Sequence, residues 1–246
     1  MKAIFLGTNG WYDTDTGNTI CILLKADGFS IILDAGNGIY KADQYIDASN
    51  PVHLFLSHFH LDHIEGLHIL NKFRFKKGLG IYGPAGTQKT LDTIVNYPFT
   101  LPLKKLPFPV EVHELLPGHH NVPFSFECRE LVHPCGSMGY RFDLDGKVIA
   151  YCPDTGICQN AIELAKDADL LMAECSLRPG ERNPMWPHLN PEDAVEIAQK
   201  AGAKRLALVH FDANRYRSIQ ERLWIQDLMS DFHDLIVAVD GMALDV

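Results

Sequence analysis

The sequence predicts an α/β fold in which short apolar strands alternate with helices. Two observations carry this. Strand-like runs such as Val52 to Leu56 and Leu206 to Val209 are separated by segments of helical pattern and turn residues. In addition, two stretches follow one plan: Ile31-Ile32-Leu33-Asp34-Ala35-Gly36 and Ala150-Tyr151-Cys152-Pro153-Asp154-Thr155-Gly156. In each, a strand ends on an Asp, and a Gly, a helix and another strand follow, which suggests an internal duplication.

The elements read as follows. Ala3 to Leu6 is a strand ended by Gly7, and Gly10 to Gly17 is a polar, turn-rich loop. Thr19 to Lys25 and Phe29 to Leu33 are strands joined at Asp27-Gly28, a hairpin signal. Ile39 to Ile46 is a short helix, and Val52 to Leu56 is a strand that runs into Ser57. A helix can begin over Asp62 to Leu67. Pro98 to Pro109 holds four prolines and reads as an irregular connection or lid. His119 and His120, after Pro117-Gly118, read as loop residues.

In the second half, Cys128 to Val132, Lys147 to Tyr151 and Leu170 to Ala173 are strands, with Asn160 to Lys166 a helix between the last two. Pro191 to Ala201 is a helix with Asn190 as N-cap, proline at its first turn and Gly202 beyond its end. Leu206 to Val209 is a strand, Ser218 to Ser230 a helix and Leu235 to Val239 a last strand. No linker or low-complexity tract interrupts the series, so one domain over residues 1–246 is expected.

Composition limits the function. The chain has 46% hydrophobic and 22% charged residues, as ordinary globular proteins do. Its net charge of −9 disfavours non-specific nucleic-acid binding, which needs clustered Lys and Arg. The one dense basic run, Lys72-Phe73-Arg74-Phe75-Lys76-Lys77, reads as a solvated, partly amphipathic surface loop. The opening Met1-Lys2-Ala3-Ile4 does not read as a signal peptide, and no run approaches the ~20 apolar residues of a membrane span. The six cysteines form no CxxC pair, and a reducing, cytoplasmic setting fits them best.

The chemistry concentrates in Ser57-His58-Phe59-His60-Leu61-Asp62-His63. Three imidazoles in one loop would compete for the partners that buried histidines need. Neutral imidazole and carboxylate are, however, good ligands for zinc and related ions. His58 and His60, two apart at a strand end, can point the same way. Asp62 and His63 follow, so one segment can serve two adjacent metals. Further ligands are expected at other strand tips, where His133, Asp154 and His210 stand.

This series, His58-x-His60-x-Asp62-His63 followed by His133, Asp154 and His210, resembles the motifs of the metallo-β-lactamase superfamily. Asp34 looks like that superfamily's first motif, a supporting carboxylate. The resemblance implies an αβ/βα four-layer sandwich with two metal ions at one sheet edge. One ion takes His58, His60 and His133, the other Asp62, His63 and His210, with Asp154 bridging. Zn²⁺ suits the donors, and Mn²⁺ or Fe²⁺ can replace it. A metal pair lowers the pKa of bound water and so supplies hydroxide near neutral pH.

The branch is narrowed by two further features. His133 to Arg141 resembles the third-motif region of ribonuclease Z and its phosphodiesterase relatives. Glu174 and His188 look like that branch's acidic and histidine loops, in which the Glu orients the His and the His faces the scissile phosphate. The implied catalytic residues are Asp62, Asp154, Glu174 and His188. The chain departs from ribonuclease Z in lacking a long tRNA-binding arm, since only 20 residues separate His133 from Asp154. The expectation is therefore a hydrolase of a cyclic nucleotide or other small phosphodiester, with no membrane partner, nucleic acid not favoured, and a homodimer as often in the branch. The rivals are a thioester or lactone hydrolase of the same fold and a tRNA 3′-endonuclease of the ribonuclease Z type. A di-iron oxidoreductase is disfavoured, because that variant places a Glu where this chain has His60, and the intact ligand set argues against a non-enzymatic module.

Overall fold

The computed structural model describes residues 1–121 and 123–246. Seven strands occupy the first half: β1 (Lys2–Gly7), β2 (Asn9–Gly10), β3 (Cys21–Lys25), β4 (Ser30–Leu33), β5 (Val52–Phe55), β6 (Leu79–Pro84) and β7 (Val110–Leu115). Nine follow: β8 (Gly118–His120), β9 (Phe126–Leu131), β10 (Ser137–Leu144), β11 (Lys147–Cys152), β12 (Leu170–Glu174), β13 (Leu206–Val209), β14 (Phe211–Asp212), β15 (Leu235–Val237) and β16 (Ala243–Asp245). The α-helices are α1 (Leu61–Ile64), α2 (Thr87–Ile94), α3 (Gln159–Ala165), α4 (Pro191–Ala201) and α5 (Ile219–Leu228).

Two seven-stranded sheets form, in the orders β16-β1-β3-β4-β5-β6-β7 and β15-β13-β12-β11-β10-β9-β8. Each is mixed. The strands β4 to β7 run parallel, as do β11, β12, β13 and β15, while the remaining pairings are antiparallel.

Alternation along the strands explains the layering. In β1, Ala3 and Phe5 join the cluster between the sheets, with Ile22, Phe55, Phe142, Ile149, Met172 and Val209. Ile4 and Leu6 point the other way, into a core under Ile39, Leu67, Leu70 and Leu91. The second sheet buries Leu171, Ala173, Leu206 and Leu208 beneath α3, α4 and α5 through Leu164, Ile197 and Ile225. Both faces of each sheet are thus covered, which is why the parallel strands read as continuous apolar runs. The result is a sandwich of helix, sheet, sheet and helix, as expected.

The boundaries refine several expectations. Ile39 to Ile46 is instead a 3-10 helix over Asn37–Gln44, and the helix from Asp62 is one turn of α1 continued as a 3-10 helix over Glu65–Lys72. His119 and His120 are not loop residues: they lie in β8, antiparallel to β9. Pro98 to Pro109 is irregular apart from a 3-10 turn at Leu103–Lys105. It is not a lid, because Leu103, Leu106 and Phe108 pack on the outer core of the first sheet and none of its residues lines the cleft described below. In the basic run, Phe73 and Phe75 are buried while the cations face out.

Asp34 follows β4, which pairs parallel with β5, and Asp154 follows β11, which pairs parallel with β12. The two similar stretches therefore hold matching places in the two sheets. No helix is long and apolar enough to cross a membrane among the described residues.

Candidate metal centre

The strand tips converge at one edge of the sandwich. Ser57 and His58 follow β5, His133 follows β9, Asp154 follows β11, Glu174 ends β12 and His210 follows β13. Two of these turns use left-handed backbone at non-glycine residues, Asp34 (φ 55) and His210 (φ 55). Such conformations are strained and persist where the surroundings hold them.

Hydrogen bonds fix which imidazole nitrogens face inward. Asp34 is fully buried and accepts from Ser57 N (2.7 Å), Ser57 Oγ (2.8 Å), Tyr151 Oη (2.7 Å) and His63 Nδ1 (2.9 Å). Because Ser57 Oγ donates to Asp34, it accepts from His58 Nδ1 at 2.9 Å. Ser176 Oγ donates to the His210 carbonyl (3.0 Å) and accepts from His210 Nδ1 (3.0 Å). A proton held on Nδ1 leaves Nε2 of His58, His63 and His210 as a bare lone pair. His60 is turned the other way: its Nε2 faces Cys135 Sγ at 3.4 Å, and its Nδ1 faces His133 Nε2 at 3.4 Å.

These lone pairs crowd together. His63 Nε2 and His210 Nε2 are 3.0 Å apart, and they lie 3.1 and 3.2 Å from Asp154 Oδ1. Asp62 Oδ2 is 3.3 Å from His210 Nε2. On the other side, Asp154 Oδ2 is 3.8 Å from His58 Nε2 and 3.9 Å from His133 Nε2. His58 Nε2 and Asp154 Oδ1 have no hydrogen-bond partner although buried. Bare acceptors facing one another in a buried site are costly unless a cation lies between them. The donor set therefore fits divalent metal.

Electrostatics agree. Burial pushes His58 well below the ordinary imidazole range, and the neighbouring His63 adds to this. Burial is the largest influence on His63 and His210 and opposes their protonation, but the surrounding carboxylates together outweigh it and pull both upward: Asp154, Asp34 and Asp62 for His63, Asp154 and Asp62 for His210. The same negative field attracts a metal cation.

Glu174 lies behind this cluster, fully buried. Its Oε1 accepts from Thr155 N (2.9 Å) and His188 Nδ1 (2.6 Å), and its Oε2 from Ser176 N (3.0 Å). Burial alone would lower the His188 pKa, but the Glu174 carboxylate raises it to about 9. A ring nitrogen of His188 comes within 4.8 Å of ligand atoms of His133 and Asp154.

A cleft of about 660 Å³ opens over the cluster, with His60, Asp62, Asp154, His188 and His210 in its lining. All seven expected ligands, with Glu174 and His188, thus come together. Arg141 does not join them: it caps α3 by donating to the carbonyls of Leu164 (2.9 Å) and Lys166 (2.6 Å).

Sequence reading missed several residues. Ser57 and Ser176 stand next to recognised positions, and their adjacency was the available signal. Cys135 lies inside the His133 to Arg141 segment. Trp186, stacked on His60 at 5.7 Å between ring centres, and Trp11, whose backbone N–H donates to Asp62 Oδ2 at 2.6 Å, have no spacing signal at all. Gly10 is required by close approach, since a Cβ there would lie 2.5 Å from His210 Cε1.

Comparison with known proteins identifies the family. Ribonuclease Z of Haloarcula marismortui is 26% identical over an alignment of 303 residues, covering 98% of this chain and 96% of that protein. The metallo-beta-lactamase fold protein YhfI of Bacillus subtilis superposes with a TM-score of 0.78 at 22% identity, covering 99% of this chain and 98% of its own. Human tRNase Z, short form, also gives 0.78, at 23% identity, covering 100% of this chain and 99% of its own. The Beta-lactamase superfamily domain matches residues 30–211, a span that runs from β4 past His210 and takes in every candidate ligand. The chain belongs to the beta-lactamase superfamily.

Proposed function

We propose that the protein is a metal-dependent hydrolase of small phosphodiesters, cyclic nucleotides among them, working with two divalent ions, Zn²⁺ by preference. The observation that carries the reaction class is the buried Glu174–His188 pair, 2.6 Å apart beside the ligand set. A hydrolase of thioesters or lactones needs the ligands but has no use for this pair.

His58, His60 and His133 would hold one ion, and Asp62, His63 and His210 the other. Asp154, with one oxygen toward each group, would hold both. When bound, such a pair supplies a nucleophile from water at neutral pH and neutralises charge on the phosphoryl oxygens. The chain's own residues supply the rest. Glu174 accepts from Nδ1 of His188, leaving Nε2 to donate a proton to the departing oxygen. Asp34 and Ser176 hold His63 and His210 in the tautomer that binds metal. Asp62 is kept in place by the backbone N–H of Trp11.

A second reading, an RNA endonuclease, is favoured by the name of the Haloarcula relative. Against it, that alignment runs over 303 positions while this chain has 246 residues, so the relative carries segments this chain lacks. The net charge of −9 also gives little attraction for a polyanion. A single domain over residues 1–246, a cytoplasmic setting that suits six free thiols, and a homodimer complete the proposal.

The test is a substrate panel on the metal-loaded protein: a chromogenic phosphodiester, the matching monoester, a thioester, a lactone and a tRNA precursor. The diester should turn over fastest among the small substrates. Rapid thioester or lactone cleavage with a slow diester would overturn the reading, and cleavage of the tRNA precursor at far higher kcat/KM would replace it with the endonuclease.

A further inference from the structure

Two indole rings stand at the mouth of the cleft instead of in a core. Trp11 is 64% exposed and Trp186 is 46% exposed, and both line the cleft. Large exposed apolar groups gathered at a cleft are more informative than scattered ones.

Both residues are anchored through their main chains, and each ring packs on a neighbour. Trp11 has φ 74, a strained left-handed conformation for a bulky residue. Its backbone N–H donates to Asp62 Oδ2 at 2.6 Å, which fixes the main chain carrying the ring beside the candidate ligands. Tyr12 packs edge-on against it at 5.2 Å. Trp186 lies parallel to His60, 8° between planes, and its backbone N–H donates to Asn183.

The lining holds little positive charge that is free to bind an anion. Arg215 is the one Lys or Arg side chain in the lining among the described residues. Its guanidinium is already committed to Asp212 and, at 2.9 Å, to Glu181. With that cation engaged, the exposed apolar faces in the lining are those of Trp11, Trp186 and Leu61, and of these only the indoles offer a flat π-surface.

The geometry points to Trp11 and Trp186 as specificity residues that form a stacking site for a nucleobase on the organic side of the phosphodiester. This rests on the phosphodiesterase reading above. Every base has a π-face, so the site accepts different bases and discriminates against diesters that carry none. Removing one ring should weaken binding of a base-bearing ligand by about 5- to 150-fold, the range for one lost base–aromatic stack.

The experiment titrates the metal-loaded protein with adenosine 5′-monophosphate and with ribose 5-phosphate, reading indole fluorescence and heat. Adenosine monophosphate should bind at least ~10-fold more tightly and quench the indoles. Trp11→Ala, which keeps the backbone N–H to Asp62, and Trp186→Ala should each weaken it more than they weaken ribose 5-phosphate, at metal content confirmed equal to wild type, and Trp186→Phe should retain most of the affinity. Equal binding of the two ligands, or equal losses for both in the variants, would overturn the stacking site. A protein that selects adenosine monophosphate yet cleaves no diester keeps the stacking site and loses the reaction class. One that cleaves glycerol and nucleoside diesters with equal kcat/KM loses the stacking site alone.

Discussion

His188 Nδ1 lies 2.6 Å from Glu174 Oε1, and this contact decides which ring nitrogen of His188 is free to act. Glu174 is itself fixed by the backbone N–H groups of Thr155 and Ser176, so the imidazole is oriented from the fully buried side. His188→Ala should leave the fold and the metal content unchanged. Its kcat should fall by about 10²- to 10⁴-fold, the usual worth of positioned acid–base assistance, with KM little altered. The loss should shrink for a diester whose leaving group needs no proton. Glu174→Gln should show a milder version. Metal analysis beside kcat for two diesters of different leaving-group pKa checks this. Loss of a metal in His188→Ala would make His188 a ligand.

Asp34 answers four donors from three residues, and all four depend on its charge or its two oxygens. Asp34→Asn should lower metal affinity by about 10- to 100-fold, as loss of a ligand's supporting partner does. Asp34→Ala should also destabilise the fold by about 1–3 kcal/mol or more, because buried donors lose their acceptor. Metal competition with a chelator and denaturant unfolding read the two effects separately. Unchanged metal affinity in Asp34→Asn would show that His63 does not need its carboxylate.

Gly10→Ala tests how tightly the first loop covers the centre. A Cβ would stand 2.5 Å from His210 Cε1, and Ser176 prevents that ring from moving away freely. Metal affinity should drop by about 10- to 100-fold, with the thermal midpoint nearly unchanged. A variant with wild-type affinity would mean that the loop yields instead of the ligand.

Much of the site was legible because its chemistry lies at strand ends. His58 to His63, His133, Asp154 and His210 each follow an apolar run, and short-range pattern is enough to see this. The outer parts of both sheets were less legible. β7 carries Glu111, His113 and Glu114 on an edge, so its apolar alternation is weak, and β8 is three residues long. Sequence could not place Trp186 over His60, since that contact joins a loop before α4 to the tip of β5. The tautomer-setting serines were marked only by their adjacency to Glu174 and His58, because their role depends on contacts to Asp34 and to the His210 carbonyl.

His53, away from the centre, gives a prediction about pH. It sits on β5 against the rings of Phe29 and Phe124, and its Nδ1 is buried without a partner. Burial lowers its pKa to about 4, with His113 adding to the effect. The unfolded chain therefore takes up this proton at higher pH than the folded one. Stability should decline as pH falls from about 6.5, the ordinary histidine value, with the full penalty reached below about 4. Replacing His53 with Phe should flatten that part of the profile, as read by urea unfolding between these limits. An unchanged slope would assign the acid sensitivity to other groups.

Asp154 joins the two ligand groups, its two carboxylate oxygens facing different sets of imidazoles. The most direct measurement is the number of metal ions per chain, by elemental analysis of protein purified without chelator, for wild type and Asp154→Ala. About two ions per wild-type chain are expected, since the ligands form two sets. Asp154→Ala should lose more metal and more activity than any other single ligand variant. Trace metal in the wild type with no activity restored by Zn²⁺ or Mn²⁺, or an Asp154→Ala protein that keeps both ions and its rate, would contradict it.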